Sequence, residues 1–301
     1  MKKMTLALDW TANTNHSGFY VAKTMGFYAE EGLEVELLTP DRDNYALTPA
    51  KKVELGSADL ALCPFESVLS YRTKQKAFDA VAVAAIFRED VSAIAVLEGS
   101  GIERPKDLDH RSYASYQARY EDHIVAQMVK NDGGTGSLQW AYPEKLGIWE
   151  TLCSGKYDAT WIFMNWEGVH AEAKGIPLRT FKMADYGIPY GYSPVLLASR
   201  ARIALDREGY RSFLRATKRG FMAVKADARL AVDCLQAFIA PADKDIDLLK
   251  SQEFANAYYG DDKNWGRLEQ NGVADYLNWL RAQGLETSSL GYSNLVVGDL
   301  L

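Results

Sequence analysis

Val53-Glu54-Leu55-Gly56-Ser57-Ala58-Asp59-Leu60-Ala61-Leu62 reads as a helix end, a glycine stop, two residues, an aspartate and then a strand. The same form returns at Leu152-Cys153-Ser154-Gly155-Lys156-Tyr157-Asp158-Ala159-Thr160-Trp161. Glycine is the residue that most readily takes the left-handed conformation ending a helix. Each predicted strand is followed by a glutamate near a predicted helix start: Glu66 after the first, Glu167 after the second. Two lobes on one plan, each aiming a strand-to-helix turn at a shared cleft, account for the echo.

Outward from these segments, short apolar runs alternate with helical patterns, which reads as α/β. Strands are predicted at Leu6–Leu8, Val35–Leu38, Leu60–Leu62 and Val81–Ile86, with helices near Ser17–Thr24 and Pro49–Leu55. Ser92–Leu97 reads as a strand leaving lobe one, and Gly99-Ser100-Gly101 with Pro105 closes the linker. Ser193–Ser199 reads as the return strand. Lobe one is therefore expected to be discontinuous, 1–92 and 193–301, with lobe two at 93–192. The two crossings would form a two-strand hinge around a ligand cleft. A length of 301 residues suits two domains better than one core.

Composition removes several classes. A net charge of −6 with no basic stripe argues against a nucleic-acid partner. The run Arg215-Ala216-Thr217-Lys218-Arg219 reads as a solvated helix face. Cys63, Cys153 and Cys234 are odd in number and lack CxxC spacing, so neither a disulfide framework nor a zinc site is expected. His16, His110, His123 and His170 are scattered, and no metal site is expected. There is no G-x-S-x-G, P-loop or dinucleotide fingerprint, and no apolar run long enough for membrane insertion. Met1-Lys2-Lys3-Met4 resembles the start of an export signal, but Asp9 and Asn13 arrive before an apolar core can form. A cytoplasmic place is the expectation for the sequence as it stands. A periplasmic or extracytoplasmic one requires a removed leader.

Chemistry concentrates in three places. The loop after the first strand carries Asp9, Trp10, Asn13, Asn15 and His16, at a strand end where α/β sheets bind ligands. Trp10, Tyr116, Tyr120, Trp161, Phe163, Trp166, Tyr186, Tyr190 and Tyr192 fall at strand ends or in loops. A flat heteroaromatic ligand between two such rings gains about 1–3 kcal/mol per stack. Trp161 and Phe163 share one strand face and are expected in the core; Trp10, Trp166 and Tyr190 are expected in the cleft. The third place is Tyr116-Gln117-Ala118-Arg119-Tyr120-Glu121, where a helix start and Arg119 could hold a phosphate or carboxylate, or Arg119 could make a surface ion pair.

Leu8-Asp9-Trp10-Thr11-Ala12-Asn13-Thr14-Asn15-His16, Gly18-Phe19-Tyr20-Val21-Ala22, Tyr28-Ala29-Glu30-Glu31-Gly32-Leu33 and Gly56-Ser57-Ala58-Asp59 carry a resemblance. They resemble the thiamine-pyrimidine precursor-binding proteins and the fungal thiamine-pyrimidine synthase. The resemblance implies a two-lobed type II periplasmic-binding-protein fold over nearly the whole chain. It also implies an aminopyrimidine ligand and, for a carrier, an ABC transporter permease as partner. An aminopyrimidine presents an amine beside a ring nitrogen, which a carboxylate can match for roughly 1.5–3 kcal/mol. Glu66 or Glu167 is expected there, with Asp9 and Glu121 as further candidates; Trp10 and Tyr190 or Trp166 stack, and Asn13 and His16 complete the lining. For a carrier no cofactor is expected.

The resemblance also implies the fungal alternative, an enzyme that uses pyridoxal phosphate and iron. That pattern places a lysine after the third strand, a histidine four residues on, and a cysteine-rich loop. Here those positions hold Cys63 and Ser67, and Asp185-Tyr186-Gly187-Ile188-Pro189-Tyr190-Gly191-Tyr192-Ser193 has no cysteine. A further alternative, a carrier of a small anion such as a sulfonate, calls for a cation near the cleft.

Overall fold

The computed structural model describes residues 1–301. Its strands are β1 (Lys2–Ala7), β2 (Leu33–Leu38), β3 (Leu60–Cys63), β4 (Ala80–Ala85), β5 (Ser92–Leu97), β6 (Ser112–Ala114), β7 (Gln139–Ala141), β8 (Ala159–Phe163), β9 (Leu178–Phe181) and β10 (Val195–Ser199). They form two five-stranded sheets, ordered β2-β1-β3-β10-β4 and β7-β6-β8-β5-β9. In each, three strands run parallel and the fourth, β10 or β5, is antiparallel to both its neighbours. This is the two-lobed α/β architecture expected.

The echo has a physical cause. Gly56 (φ 82°) and Gly155 (φ 68°) both end their helices in the left-handed region, where a Cβ is strained. Asp59 Oδ2 then accepts from the Thr5 N–H (2.8 Å), and Asp158 Oδ2 accepts from the Ser112 N–H (2.8 Å). Each aspartate thus pins the start of its own strand to the adjacent one, fixing register between β1 and β3 and between β6 and β8.

Burial follows position in the sheets. β2 alternates Leu33, Val35 and Leu37 inward with Glu34 and Glu36 outward, as an edge strand should. β3, β4 and β10 are buried throughout because both faces are covered. One core cluster lies wholly within the first lobe. The other runs from the opposite face of that sheet, where Tyr276 packs, into the second lobe through Tyr113 and Trp161.

Ser92–Leu97 pairs entirely within the second sheet and Val195–Ser199 within the first. The crossings, 86–91 and 182–194, are largely irregular backbone rather than strands. They lie side by side, with the Ile86 N–H donating to the Pro194 carbonyl (3.0 Å).

Candidate functional site

The carboxyl ends of β1, β3, β6 and β8, equivalent strands of the two sheets, converge on a cavity of about 390 Å³ between the lobes. That size suits a small organic ligand. Of the residues expected at the site, Asp9, Trp10, Asn13, Glu66, Tyr116, Arg119, Trp166, Glu167 and Tyr190 line it. His16 does not.

His16 is fully buried behind the wall. Its Nδ1 accepts from the Asn13 N–H (3.4 Å), which leaves Nε2–H to donate to Asp9 Oδ1 (2.7 Å). The expected ligand contact is therefore corrected: the imidazole orients Asp9 from behind. Asn13 is also committed locally. Its Oδ1 accepts from the Asn15 N–H (2.9 Å) and its Nδ2 donates to the Thr11 carbonyl (3.1 Å), which caps the turn Thr14–His16.

The aromatic walls come from both lobes. Trp10 meets Tyr116 edge-on at 5.8 Å and Tyr45 at 6.3 Å. Trp161 meets Tyr190 edge-on at 4.9 Å, and Tyr190 meets Tyr276 at 5.8 Å. Trp161 and Phe163, expected in the core, both line the cavity. Alternation does put them on one face, but that face looks onto the other lobe. Trp166 presents one side to the cavity and packs the other on Val169 and Ile246.

Three carboxyls on the wall are pushed up to about 7, chiefly by burial: Glu66, Glu121 and Glu167. Glu66 begins the helix Phe65–Thr73; its Oε1 accepts from the Tyr190 hydroxyl (3.3 Å), and its buried Oε2 has no partner. Glu167 lies in a single π-helical turn, Met164–Gly168, and its Oε2 accepts from the Phe163 N–H (2.9 Å). Such turns often mark functional sites. Glu121 is saturated by the Tyr113 hydroxyl (3.0 Å) and the Tyr116 and Ala118 N–H groups (3.1 and 3.2 Å).

Glu121 thereby corrects the expected anion site. A carboxylate of the chain already occupies the N–H groups before the helix Glu121–Asn131, where a phosphate would bind. Arg119, on the cavity rim, donates to Thr73 Oγ1 (2.6 Å) and Glu286 Oε2 (3.2 Å), tying the second lobe to the first. It is an ion pair between lobes rather than a free anion ligand.

Sequence reasoning missed Tyr45, Tyr71, Gln117 and Lys145, all on the cavity wall. They sit in loops after β2 and β7, on the helix Phe65–Thr73 and beside Tyr116, where no periodicity signals a cleft. Two carry a backbone signature: Tyr45 and Gln117 have φ of 56° and 58°, uncommon for non-glycine residues. Cys63 and Ser67, which hold the places of the fungal lysine and histidine, also line the cavity. Burial pushes the Cys63 thiol well up, so it is a poor nucleophile. No three His, Cys, Asp or Glu side chains group to hold a metal. The residues present do not fit an iron centre.

Residues 13–231 match the family described as NMT1/THI5 like. The formylaminopyrimidine-binding protein of Halalkalibacterium halodurans is 26% identical over 222 residues, covering 73% of this chain and 66% of that relative, just under two thirds of its length. A 4-amino-5-hydroxymethyl-2-methylpyrimidine phosphate synthase of Uromyces fabae is 26% identical over 244 residues, covering 75% of this chain and 68% of the other. Among solved structures, the alkanesulfonate-binding protein SsuA from Xanthomonas axonopodis pv. citri bound to MOPS superposes with a TM-score of 0.73 at 12% identity. That match covers 99% of each chain and is a likeness of fold, the periplasmic-binding-protein fold. The matched residues take in all three cavity glutamates, the Tyr116 loop and Tyr190, and the chain belongs to the NMT1/THI5-like family.

Proposed function

We propose that this protein is a carrier that closes its two lobes, 1–92 with 193–301 and 93–192, on an aminopyrimidine precursor of thiamine. The observation that carries the reading is Glu66: a buried carboxyl with one unbonded oxygen, set among Tyr190, Trp161 and the other ring walls. That oxygen matches an amine beside a ring nitrogen, while the rings hold a planar ligand's faces. The relative named for formylaminopyrimidine binding supports the same ligand class. Four acidic side chains on the wall, Asp9, Glu66, Glu121 and Glu167, against two cations of which Arg119 is already paired, disfavour a small bare anion such as a sulfonate.

Delivery to an ABC transporter permease is part of this reading. No helix is long and apolar enough to cross a membrane, so a permease would be a separate chain. Such a carrier works outside the cytoplasm, and fractionation of cells expressing the native gene tests that place.

The direct test is calorimetry and thermal unfolding with 4-amino-5-hydroxymethyl-2-methylpyrimidine and its formylaminopyrimidine analogue. Ligand at a hundred times its Kd should stabilise the protein by about 2.7 kcal/mol. No shift with either sinks the reading. The enzyme alternative keeps one observation in its favour, Lys145 on the cavity wall, because a lysine is what pyridoxal phosphate condenses with. A visible absorbance change on adding pyridoxal phosphate would replace the carrier with an enzyme.

A further inference from the structure

Lys145 has no partner that accounts for its place. It opens the turn Lys145–Gly147 in the second lobe, lines the cavity, and holds its ammonium 4.9 Å from the centre of the Tyr45 ring in the first lobe. Arg119, the other cation on the wall, is spent on Thr73 and Glu286. Lys145 enters no ion pair; Glu121, whose charge reaches it, already accepts three hydrogen bonds from other groups. Burial lowers the pKa of this ammonium. A half-buried cation that faces one ring and makes no direct contact with a carboxyl, the nearby Glu121 being shared among three other donors, is under-compensated. The backbone beneath it is costly too: Asn44 and Tyr45 follow one another in the left-handed region, φ 48° and 56°.

Topology places this pair at one end of the cavity. Tyr45 follows β2 and Lys145 follows β7, the edge strands on the same side of the two sheets. Glu66 follows the central strand β3, and Tyr190 belongs to the second crossing. The cavity therefore runs from a carboxyl end near the crossings to an ammonium end at the sheet edges.

Resting on the aminopyrimidine reading, we propose that Lys145 binds an oxyanion carried on the ligand's ring substituent, a carboxylate or a phosphate ester. The ligand is then amphoteric, its amino edge at Glu66 and its anionic arm at Lys145 and Tyr45. This joins the planar heterocycle to the cation that the sulfonate alternative called for.

Calorimetry with three probes tests it: 4-amino-5-hydroxymethyl-2-methylpyrimidine, the 5-carboxylate of the same ring, and the hydroxymethyl phosphate ester. An anionic probe should bind the wild type on the order of tenfold tighter than the neutral one. Whichever of carboxylate and phosphate gains more identifies the arm. Lys145→Met should erase that preference and leave the neutral probe within about twofold, while Lys145→Arg keeps it. Matched melting temperatures would show that the variants fold. The inference falls if the neutral probe binds as tightly as both anions, or if Lys145→Met weakens all three alike. Borohydride trapping of an aldehyde on Lys145 would also overturn it, since the amine would then be a covalent group. Binding of the neutral probe alone overturns this inference and leaves the aminopyrimidine reading standing; no binding of any probe overturns both.

Discussion

The Tyr190 hydroxyl donates to Glu66 Oε1 at 3.3 Å, while Glu66 Oε2, equally buried, is bonded to nothing. The helix Phe65–Thr73 supplies the acid and the second crossing supplies the phenol, so the pair spans a helix start and the junction between lobes. Burial is the largest cause of the raised Glu66 pKa, about 7; the Tyr190 bond opposes it, and Glu121 and Asp90 add to it. The fold thus holds the proton more tightly than the unfolded chain does. Between the ordinary glutamate value and about 7 the native state binds more protons, so stability falls as pH rises through that window. Glu121 and Glu167 act in the same direction.

Glu66→Gln removes one of these penalties. A tenfold change in a protonation equilibrium corresponds to about 1.4 kcal/mol, so the variant should be more stable than wild type at pH 8 by on the order of 2 kcal/mol, and no more stable at pH 4.5. Melting temperatures across that range decide it. An identical pH slope in the two proteins would show that Glu66 is not protonated in the fold. Aminopyrimidine affinity should drop in the same variant, because the amide keeps its single acceptor oxygen for the Tyr190 hydroxyl and sets an NH2 donor where Oε2 would meet the ligand's amine.

His16 is a positioning residue, acting through Asp9 at 2.7 Å. His16→Ala leaves Asp9 unoriented and opens a void in a fully buried place. The expected loss is about 1–3 kcal/mol of stability, with weaker ligand binding although the side chain never touches the cavity. Asp9→Asn, which preserves an acceptor, should cost less. Unchanged affinity in His16→Ala, measured on protein with native circular dichroism, would remove Asp9 from the binding surface.

How far the sequence could carry these assignments depended on the kind of signal. The repeated Gly-x-x-Asp before β3 and β8 was legible because a local rule, a left-handed cap followed by an aspartate bonding the next strand, writes itself into adjacent residues. Glu66 and Glu167 were legible for the same reason, as residues at fixed distance from those strands. His16 was misread because its burial depends on Ser251, Tyr259 and their neighbours closing over the opening loop, distant contacts that no window contains. For Arg119 an ion pair was one of two legible readings, but its partner was not, because Glu286 lies far along the chain. Lys145 and Tyr45 meet across the cavity from segments a hundred residues apart, and nothing in either segment announces the other.

A different prediction concerns the scaffold under the site. The helix Ser17–Thr24 crosses the helix Arg207–Ala226 with Gly18 and Gly220 at the contact. A Cβ on Gly220 would lie 2.0 Å from the Gly18 carbonyl oxygen, backbone that cannot rotate away. Gly220→Ala gains about 1 kcal/mol of helix propensity but must push the helices apart, and overpacking of this kind costs about 1–3 kcal/mol or more. The variant should therefore melt below wild type. A higher melting temperature would mean that the crossing has slack.

The last prediction separates lobe closure from ligand contact. Asn165 is fully buried, and its Nδ2 donates across the lobes to Thr14 Oγ1 (2.9 Å) and Asn15 Oδ1 (2.7 Å). Its backbone carbonyl accepts from the Ser251 hydroxyl, and Thr14 Oγ1 and Ser251 Oγ are 2.7 Å apart. Asn165 is absent from the cavity lining, but its neighbours Trp166 and Glu167 and its partner Asn15 are on the wall. The clasp therefore stabilises the closed arrangement without spending any group on the ligand. Asn165→Ala removes two interlobe hydrogen bonds, each worth about 0.5–1.5 kcal/mol. The closed population falls, and apparent affinity falls by the same factor, on the order of tenfold, because apparent Kd is intrinsic Kd divided by the competent fraction. Solution scattering should show a more extended unliganded protein that ligand restores to the wild-type dimensions. Asn165→Asp should be worse, since it sets a carboxylate against Asn15 Oδ1. If Asn165→Ala binds as tightly as wild type, closure is governed elsewhere, and the bridge from Arg119 to Glu286 is the next pair to cut.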